Sequence, residues 1–524
     1  GPARAALYRP LTVASFAVDW ELWGSDPAGF HAVNVGLHAL VTLLVFLLLL
    51  ELGLPPGAAA AGAALFAVHP VHAEAVANIV GRAELLAAIG FLATCILYLR
   101  RRAPAAIRLP GIALGFLIAL GSKEIAVTLP LVLVLLEVFR RQSGEEEARL
   151  GRGADPALLL RRLVGQAPAY LVLTAAAATY AAFRYVALGE LIGNDVAPAL
   201  DGMSTPLRIA NGMRIWPEYA RLLFVPLELV ADYSPAVILP VEGVEASVIA
   251  GAIIGLLAIT VTIASWREEP LLAAAVLWFA VTVFPVSNLV IPVGVLLAER
   301  TLYLPSVALA LGAAVLVRRL HPTAGRAPSA LLLAGALVLA LAGWRTWERN
   351  PVWHSTHTVM QDLVERHPES YHAQWAVGRE LVRRGDVTSG LELYRSAAQL
   401  VPGHYSLILE YGNVLLALGR PAEAEPWLRR ALDLIPEHAE SYTSLVRCLL
   451  DQHRPHEAFR VAAEGLRLHS DDPGLYELLA RSHALLENRS AAANAFQAAA
   501  YLAPDTASTT PRHGPRRATP GASP

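Results

Sequence analysis

The chain has 524 residues, 55% of them hydrophobic and only 16% charged. Soluble domains carry about a quarter charged residues, so this composition belongs to a membrane protein. A net charge of −2 offers no basic surface for nucleic acid. Two distant cysteines, Cys95 and Cys448, read as unpaired core thiols rather than a disulfide framework.

The chain begins at Gly1 in a polar stretch without Met, as expected of a piece that has lost its true N-terminus. Apolar runs approaching the about 17–25 residues that cross a bilayer then recur. They fall near 31–50, 57–68, 84–99, 107–121, 125–139, 166–183, 246–265, 270–288, 302–317 and 328–344. So many could not share one soluble core. The reading is an all-α fold, with a polytopic membrane domain over 1–344.

Arginine placement orients these spans. Arg100, Arg101, Arg102 and Arg108 follow the third run. Arg140, Arg141, Arg149, Arg152, Arg161 and Arg162 follow the fifth. Arg318, Arg319 and Arg326 precede the last. All three loops then lie in the cytoplasm. Residues 1–30, 69–83, 122–124, 184–245 and 289–301 face outward, and the segment after the last span emerges outside.

A linker helix is expected over 345–370, and a 34-residue period follows over 371–504. Pro402, Pro436 and Pro504 end repeats, with Ser470 in the remaining slot. Gly378 and Gly412 sit where first helices pack tightly, and Gly385 and Gly419 mark turns. Ala424, Ala458 and Ala492 mark helix crossings, and Ala397, Ala431 and Ala499 recur further along. Small residues at fixed offsets let two backbones approach, so four repeats should stack into an α-solenoid with a groove for a protein or peptide. The Pro/Ser/Thr-rich tail, 505–524, has no apolar face to bury.

Ionisable residues collect in the outward loops. These carry Arg9, Asp19 and Asp26; His69, His72, Glu74, Arg82 and Glu84; Lys123 and Glu124; Asp232 and Tyr233; and Glu299 and Arg300. Charges beside spans are costly and usually functional. Converging on one face, they could hold an anionic lipid headgroup with carboxylates near it. Bland alternatives exist: Arg9 and Arg82 meeting lipid phosphates, Lys123 with Glu124 capping a span, and Glu299 paired structurally with Arg300. His69, His72 and Glu74 lack the helical HExxH spacing and a third ligand, so no metal site is assigned.

These strings resemble the transmembrane-and-tetratricopeptide-repeat O-mannosyltransferase family of the GT-C glycosyltransferases. The blocks are YRPLT (8–12), FHAVNVGLH (30–38), AVHPVHAEAVANIVGRAELL (67–86), SKEIAVTLP (122–130), ADYSP (231–235) and SNLVIPVGVLLAERTLYLPS (287–306). The resemblance implies a GT-C-like membrane domain that moves a sugar, mannose by expectation, from a polyprenyl or dolichyl phosphate to a protein hydroxyl outside the cytoplasm. The repeats would recruit the acceptor. Arg9, Arg82, Lys123 and Arg300 become candidate contacts to the donor phosphate. Glu74, Glu124, Asp232 and Glu299 become candidate catalytic acids, and His72 and Tyr233 would orient the acceptor. A divalent cation is an optional aid to the departing phosphate. The family's acidic loop precedes the YRPLT block, and only seven residues stand before Tyr8. The chain as it stands is therefore expected to lack that base and to be inactive, Asp19 being a poor substitute. The Ala/Arg/Leu-rich composition points to a bacterial member in the inner membrane, with the endoplasmic reticulum as the eukaryotic counterpart. A non-catalytic membrane-anchored scaffold is the competing reading.

Overall fold

The computed structural model describes residues 7–139, 156–190, 200, 202–233, 237–238, 240–289, 295–320 and 329–502. Arg140, Arg141, Arg149, Arg152, Ser234, Pro235, Arg326, Pro504 and the tail at 505–524 lie outside them. Every regular element among the described residues is helical.

Two compact units divide the chain between Gly390 and Leu391. The first unit opens with α1 (Pro10–Trp23), α2 (Pro27–Glu51), α3 (Pro56–Val68), the short α4 (Ala73–Ala77), α5 (Arg82–Leu99), α6 (Ala105–Ser122) and α7 (Leu129–Phe139). It continues through α8 (Pro156–Gly165), α9 (Ala167–Leu188), α10 (Thr205–Arg214), α11 (Trp216–Phe224), α12 (Ala246–Glu268), α13 (Pro270–Val283), α14 (Val307–Leu320) and α15 (Ser329–Arg349). Two helices beyond the last apolar run, α16 (Thr356–Arg366) and α17 (Tyr371–Arg384), belong to the same unit.

Among the described residues, five helical segments are long and apolar enough to cross a bilayer: Pro27–Glu51, Ile79–Leu99, Ala105–Ser122, Ala167–Leu188 and Ala246–Glu268. A sixth appears if Pro56–Val68 and Pro70–Ala77, bent by 50°, count as one broken span. The sequence expectation of ten is not met by this measure. The runs at 125–139, 270–288 and 302–317 become helices of 11, 14 and 14 residues, each interrupted by a 3₁₀ turn or adjoining one. A 3₁₀ turn tightens the backbone and ends the run of α-helical hydrogen bonds.

The apolar core joins α2, α3, α5, α6, α7, α13 and α14 through residues such as Val45, Phe66, Phe91, Phe116, Leu133, Trp278 and Leu311. Helices α5 and α6 meet at Gly90 and Gly115. A Cβ on Gly90 would run into the α6 backbone, and one on Gly115 would meet the Thr94 side chain. A second core is built from connecting segments. Val71, Tyr219, Leu223, Tyr233, Leu297 and Leu302 pack with Leu363 of α16 and Ala373 of α17.

The repeats keep the predicted period without slippage. First helices begin at Tyr371, Tyr405, Ala439 and Pro473, and second helices at Val387, Pro421, Pro455 and Arg489. The elements after α17 are α18 (Val387–Leu400), α19 (Tyr405–Ala417), α20 (Pro421–Leu434), α21 (Ala439–Asp451), α22 (Pro455–Leu468), α23 (Pro473–Leu485) and α24 (Arg489–Leu502). Ala424, Ala431 and Ala458 are fully enclosed, and Gly412 lies against Leu428. The turn glycines Gly385 and Gly419 have φ of +96° and +70°. In the next two repeats the same left-handed position is taken by His453 and Glu487, at φ +58° and +59°. Sequence reading assigned the glycines and passed over the two substitutes.

Candidate functional site

The charged residues of the first unit gather where several helices end. Arg9 directly precedes the N1 proline of α1. It is held from both sides: Thr12 donates to the Ser122 carbonyl at 3.2 Å, and the Tyr180 hydroxyl donates to the Tyr8 carbonyl at 3.0 Å. Ser122 closes α6, Lys123 is extended, and a 3₁₀ turn over Glu124–Thr128 starts at once. That sharp change of direction aims Glu124 at Arg9. Arg9 Nε and Nη2 donate to the Glu124 carboxylate at 3.1 and 2.7 Å. Arg184, near the end of α9, stands 4.0 Å from the other Glu124 oxygen. Burial alone would raise the Glu124 carboxyl, but the Arg9 hydrogen bonds and charge outweigh it and hold it below its usual range.

Lys123 turns the other way, onto Glu84 in the first turn of α5. Both side chains are buried. Burial, with the nearby charges of Arg300 and Arg9, presses the Lys123 ammonium well below its ordinary value.

Glu74, in the first turn of α4, accepts the Arg300 backbone N–H at 2.8 Å and pairs with its guanidinium. The neighbouring Glu299 is fully enclosed. One of its oxygens accepts from the Val230 N–H at 2.6 Å and the Tyr233 hydroxyl at 2.9 Å, and the other has no partner. Burial, reinforced by the Glu74 charge, pushes Glu299 up to about 8.

Three arginines (Arg9, Arg184, Arg300) stand around two carboxylates (Glu74, Glu124). The open edge consists of Glu124, Arg300 and Arg9, whose side chains are 39%, 35% and 24% exposed. Glu74 is sealed beneath Arg300.

Other expected site residues are placed differently. Arg82 has no exposed surface. It pairs with Asp19 at 2.5 Å and donates to Asn34 Oδ1, the Ser15 carbonyl and the Phe30 carbonyl, with the Phe16 ring 4.7 Å away. No face of its guanidinium is left for a phosphate, so the phosphate set loses it. His72 is packed inside, its Nε2 2.8 Å from Ser306 Oγ and its ring edge-on to Tyr303. Tyr233 is bound to Glu299 and enclosed, so neither residue meets an acceptor in this arrangement. Asp232 accepts from the Ser370 hydroxyl at 3.2 Å and lies 3.0 Å from His372 Nδ1, fastening the long loop to the start of α17. Among the described residues no three His, Cys, Asp or Glu side chains converge as a metal cage. Sequence reading missed Arg184, whose signal was a lone arginine near the end of an apolar helix, offered Glu124 as the partner of Lys123 where the structure has Glu84, and left the partner of Arg82 unassigned.

The first unit and the repeats together define a class: an all-α membrane protein with a tetratricopeptide-repeat array. The tetratricopeptide-repeat family model matches residues 357–405 and 376–439. The chain is 27% identical over 454 residues to human protein O-mannosyl-transferase TMTC3, covering 82% of this chain and 48% of that protein. It is 28% identical to human TMTC1, covering 78% and 49%, and 26% identical to Drosophila melanogaster Tmtc3, covering 82% and 52%. Over most of its length the chain is therefore similar to proteins named protein O-mannosyl-transferases. It spans about half the length of the curated relatives it matches. Among solved structures, YrrB, titled a TPR protein with an unusual peptide-binding site, aligns at TM-score 0.27 and 20% identity, covering 33% of this chain and 86% of that one. MamA from Desulfovibrio magneticus RS-1 aligns at TM-score 0.27 and 15% identity, covering 32% and 89%.

Proposed function

We propose that the protein takes a polyprenyl-phosphate-linked sugar, mannose by homology, as donor and moves the sugar to a protein hydroxyl on the extracytoplasmic face. The observation that carries this reading is the pair of partly exposed arginines, Arg9 and Arg300, at the ends of the spans. Guanidinium groups hold phosphate oxygens by charge-assisted hydrogen bonds, and they stabilise the leaving phosphate as its charge grows. Arg9 is the first contact. Arg300 is the second, with Glu74 beneath it fixing its direction. Arg184 supports the field from behind, and Lys123 is taken up by Glu84.

Of the four carboxyl groups considered, Glu124 is the most open. Its place between Arg9 and Arg184 suits a group that positions the arginines until phosphate arrives. Glu299 holds the outer loops together through Val230 and Tyr233, and acts on the site only through its neighbours. A divalent cation, if bound, would offset the negative charge on the leaving phosphate. The repeats would present the acceptor protein, in a bacterial inner membrane or the endoplasmic reticulum.

The test uses membranes containing the protein, radiolabelled polyprenyl-phosphate mannose and a Ser/Thr-bearing acceptor. Transfer should fall at least about tenfold in Arg9→Ala, the loss of one charge-assisted hydrogen bond. Transfer by Arg9→Ala and Glu124→Ala equal to the parent's would remove this site assignment, and no transfer by the parent chain would favour a non-catalytic scaffold that docks proteins through its repeats.

A further inference from the structure

Helices α5, α6 and α9 each bring one end to the charged cluster: α5 begins at Arg82, α6 closes at Ser122, and Arg184 stands near the end of α9. Their opposite ends carry a second set of arginines. The turn from α5 to α6 holds Arg100, Arg101 and Arg102, the first turn of α6 holds Arg108, and α8, which leads into α9, carries Arg161 and Arg162.

Three of these guanidinium groups are drawn together. Glu137 on α7 has no exposed surface. One of its carboxylate oxygens takes the Arg101 guanidinium and, at 3.2 Å, the Tyr98 hydroxyl. Its backbone carbonyl accepts from Arg162 Nη1 at 3.2 Å. Arg108 Nη1 donates to Gln166 Oε1 at 3.0 Å. Gln166 is buried at the break between α8 and α9, four residues after Arg162, so Arg108 is held about one helical turn from Arg162. None of the three forks is filled. Arg108 Nε is buried without a hydrogen-bond partner, Arg162 gives one nitrogen to Glu137, and the Arg101 side chain is 32% exposed.

The surface beside them is apolar. Leu160 and Val164, one turn apart on α8, are exposed, and so are Ile107 and Leu114 on α6 and Leu171 on α9. An arginine that only orients a span lies free in the headgroup layer. Here buried Glu137 and Gln166 fix the directions of three forks next to two helices that lipid chains can follow. A fork held in this way meets phosphate oxygens through paired, charge-assisted hydrogen bonds, and basic pockets between spans take lipid headgroups.

We propose that Arg101, Arg108 and Arg162, with Arg161 at the rim, hold the phosphate of an anionic phospholipid in the leaflet opposite the edge formed by Arg9 and Arg300. Its acyl chains lie along the exposed faces of α6 and α9. Phosphatidylglycerol has the matching chemistry, a charged phosphate followed by hydroxyls. Phosphatidylcholine would bring a cation among the guanidinium groups. The site uses no residue of the donor reading, so each stands without the other.

Native mass spectrometry tests this on the full chain, released from micelles holding equal amounts of phosphatidylglycerol and phosphatidylcholine. The parent should keep one phosphatidylglycerol, preferred by about tenfold. The double variant Arg108→Gln, Arg162→Gln should lower its retention by about tenfold or more, the loss of charge-assisted hydrogen bonds. Arg319→Gln, at the far end of α14 and bound to Glu269, should leave retention unchanged. Arg161 is exposed and makes no hydrogen bond among the described residues, so Arg161→Gln guards against a double variant that fails to fold; it should lower retention by a smaller, measurable amount. Equal retention of the two lipids overturns the proposal. So does unchanged retention in a folded double variant, or in Arg161→Gln where the double variant does not fold. A loss in Arg319→Gln as large as in the double variant would show a diffuse positive surface in place of a site. Displacement by free glycerol phosphate at the same concentration would show an anion site without a lipid component. Either result also overturns it.

Discussion

At the scale of single residues, two buried acids behave in opposite ways. Glu299, held near 8, stays protonated in the folded protein, whereas an unfolded chain would release that proton near its ordinary value of 4.5. The folded state binds more protons between these values. Its stability is therefore fully present at low pH and declines as pH rises from about 4.5 toward about 8. The Glu299 contribution to the thermal stability of the purified protein should fall over that window. Glu299→Gln, which keeps acceptors for Val230 and Tyr233, should flatten the fall; an unchanged slope would remove Glu299 as its cause. Asp19 instead meets a fully buried Arg82. Removing one member of a buried ion pair costs about 3–5 kcal/mol, because the other is left uncompensated. Arg82→Ala should lower the melting temperature sharply. A variant of normal stability that had lost only donor binding would return Arg82 to the phosphate site.

At the scale of elements, the repeats show which sequence signals transfer to structure. Proline, small residues and turn glycines recur at fixed offsets because each enforces one local geometry. The helix starts at 371, 405, 439 and 473 follow from them. His453 and Glu487 do not announce a left-handed backbone, since neither residue type adopts it as readily as glycine. Only their place in the repeat does. A side chain with φ above zero is strained by about 1 kcal/mol, and glycine is not. His453→Gly and Glu487→Gly should each raise repeat stability or leave it level in urea unfolding. A loss of 1 kcal/mol or more in both would show that their side chains matter beyond the turn. The 3₁₀ turns at Glu124–Thr128 and Glu299–Leu302 were not legible at all. Each starts in a segment that the sequence reading left as an outer loop and runs into the next predicted span, so its first residue delivers an acid to the charged cluster and the span begins later than hydropathy indicates.

At the scale of the whole molecule, the sequence located the charged blocks but could not pair them. Lys123 and Glu124 are adjacent, yet one turns to Glu84 and the other to Arg9. Arg82 read as a phosphate contact until its partner, 63 positions earlier, was visible. Pairing is decided by where helix ends meet, and neither hydropathy nor composition carries that information. The result is an open arginine edge above sealed carboxylates, and the account depends on that edge meeting a lipid phosphate.

Photoaffinity labelling measures this dependence directly, without needing turnover. A photoactivatable polyprenyl-phosphate mannose should label the reconstituted protein, and unlabelled polyprenyl phosphate should compete. Arg9→Ala and Arg300→Ala should each lower labelling by about tenfold or more, the cost of a lost charge-assisted contact. Labelling that is equally strong in both variants would contradict the account.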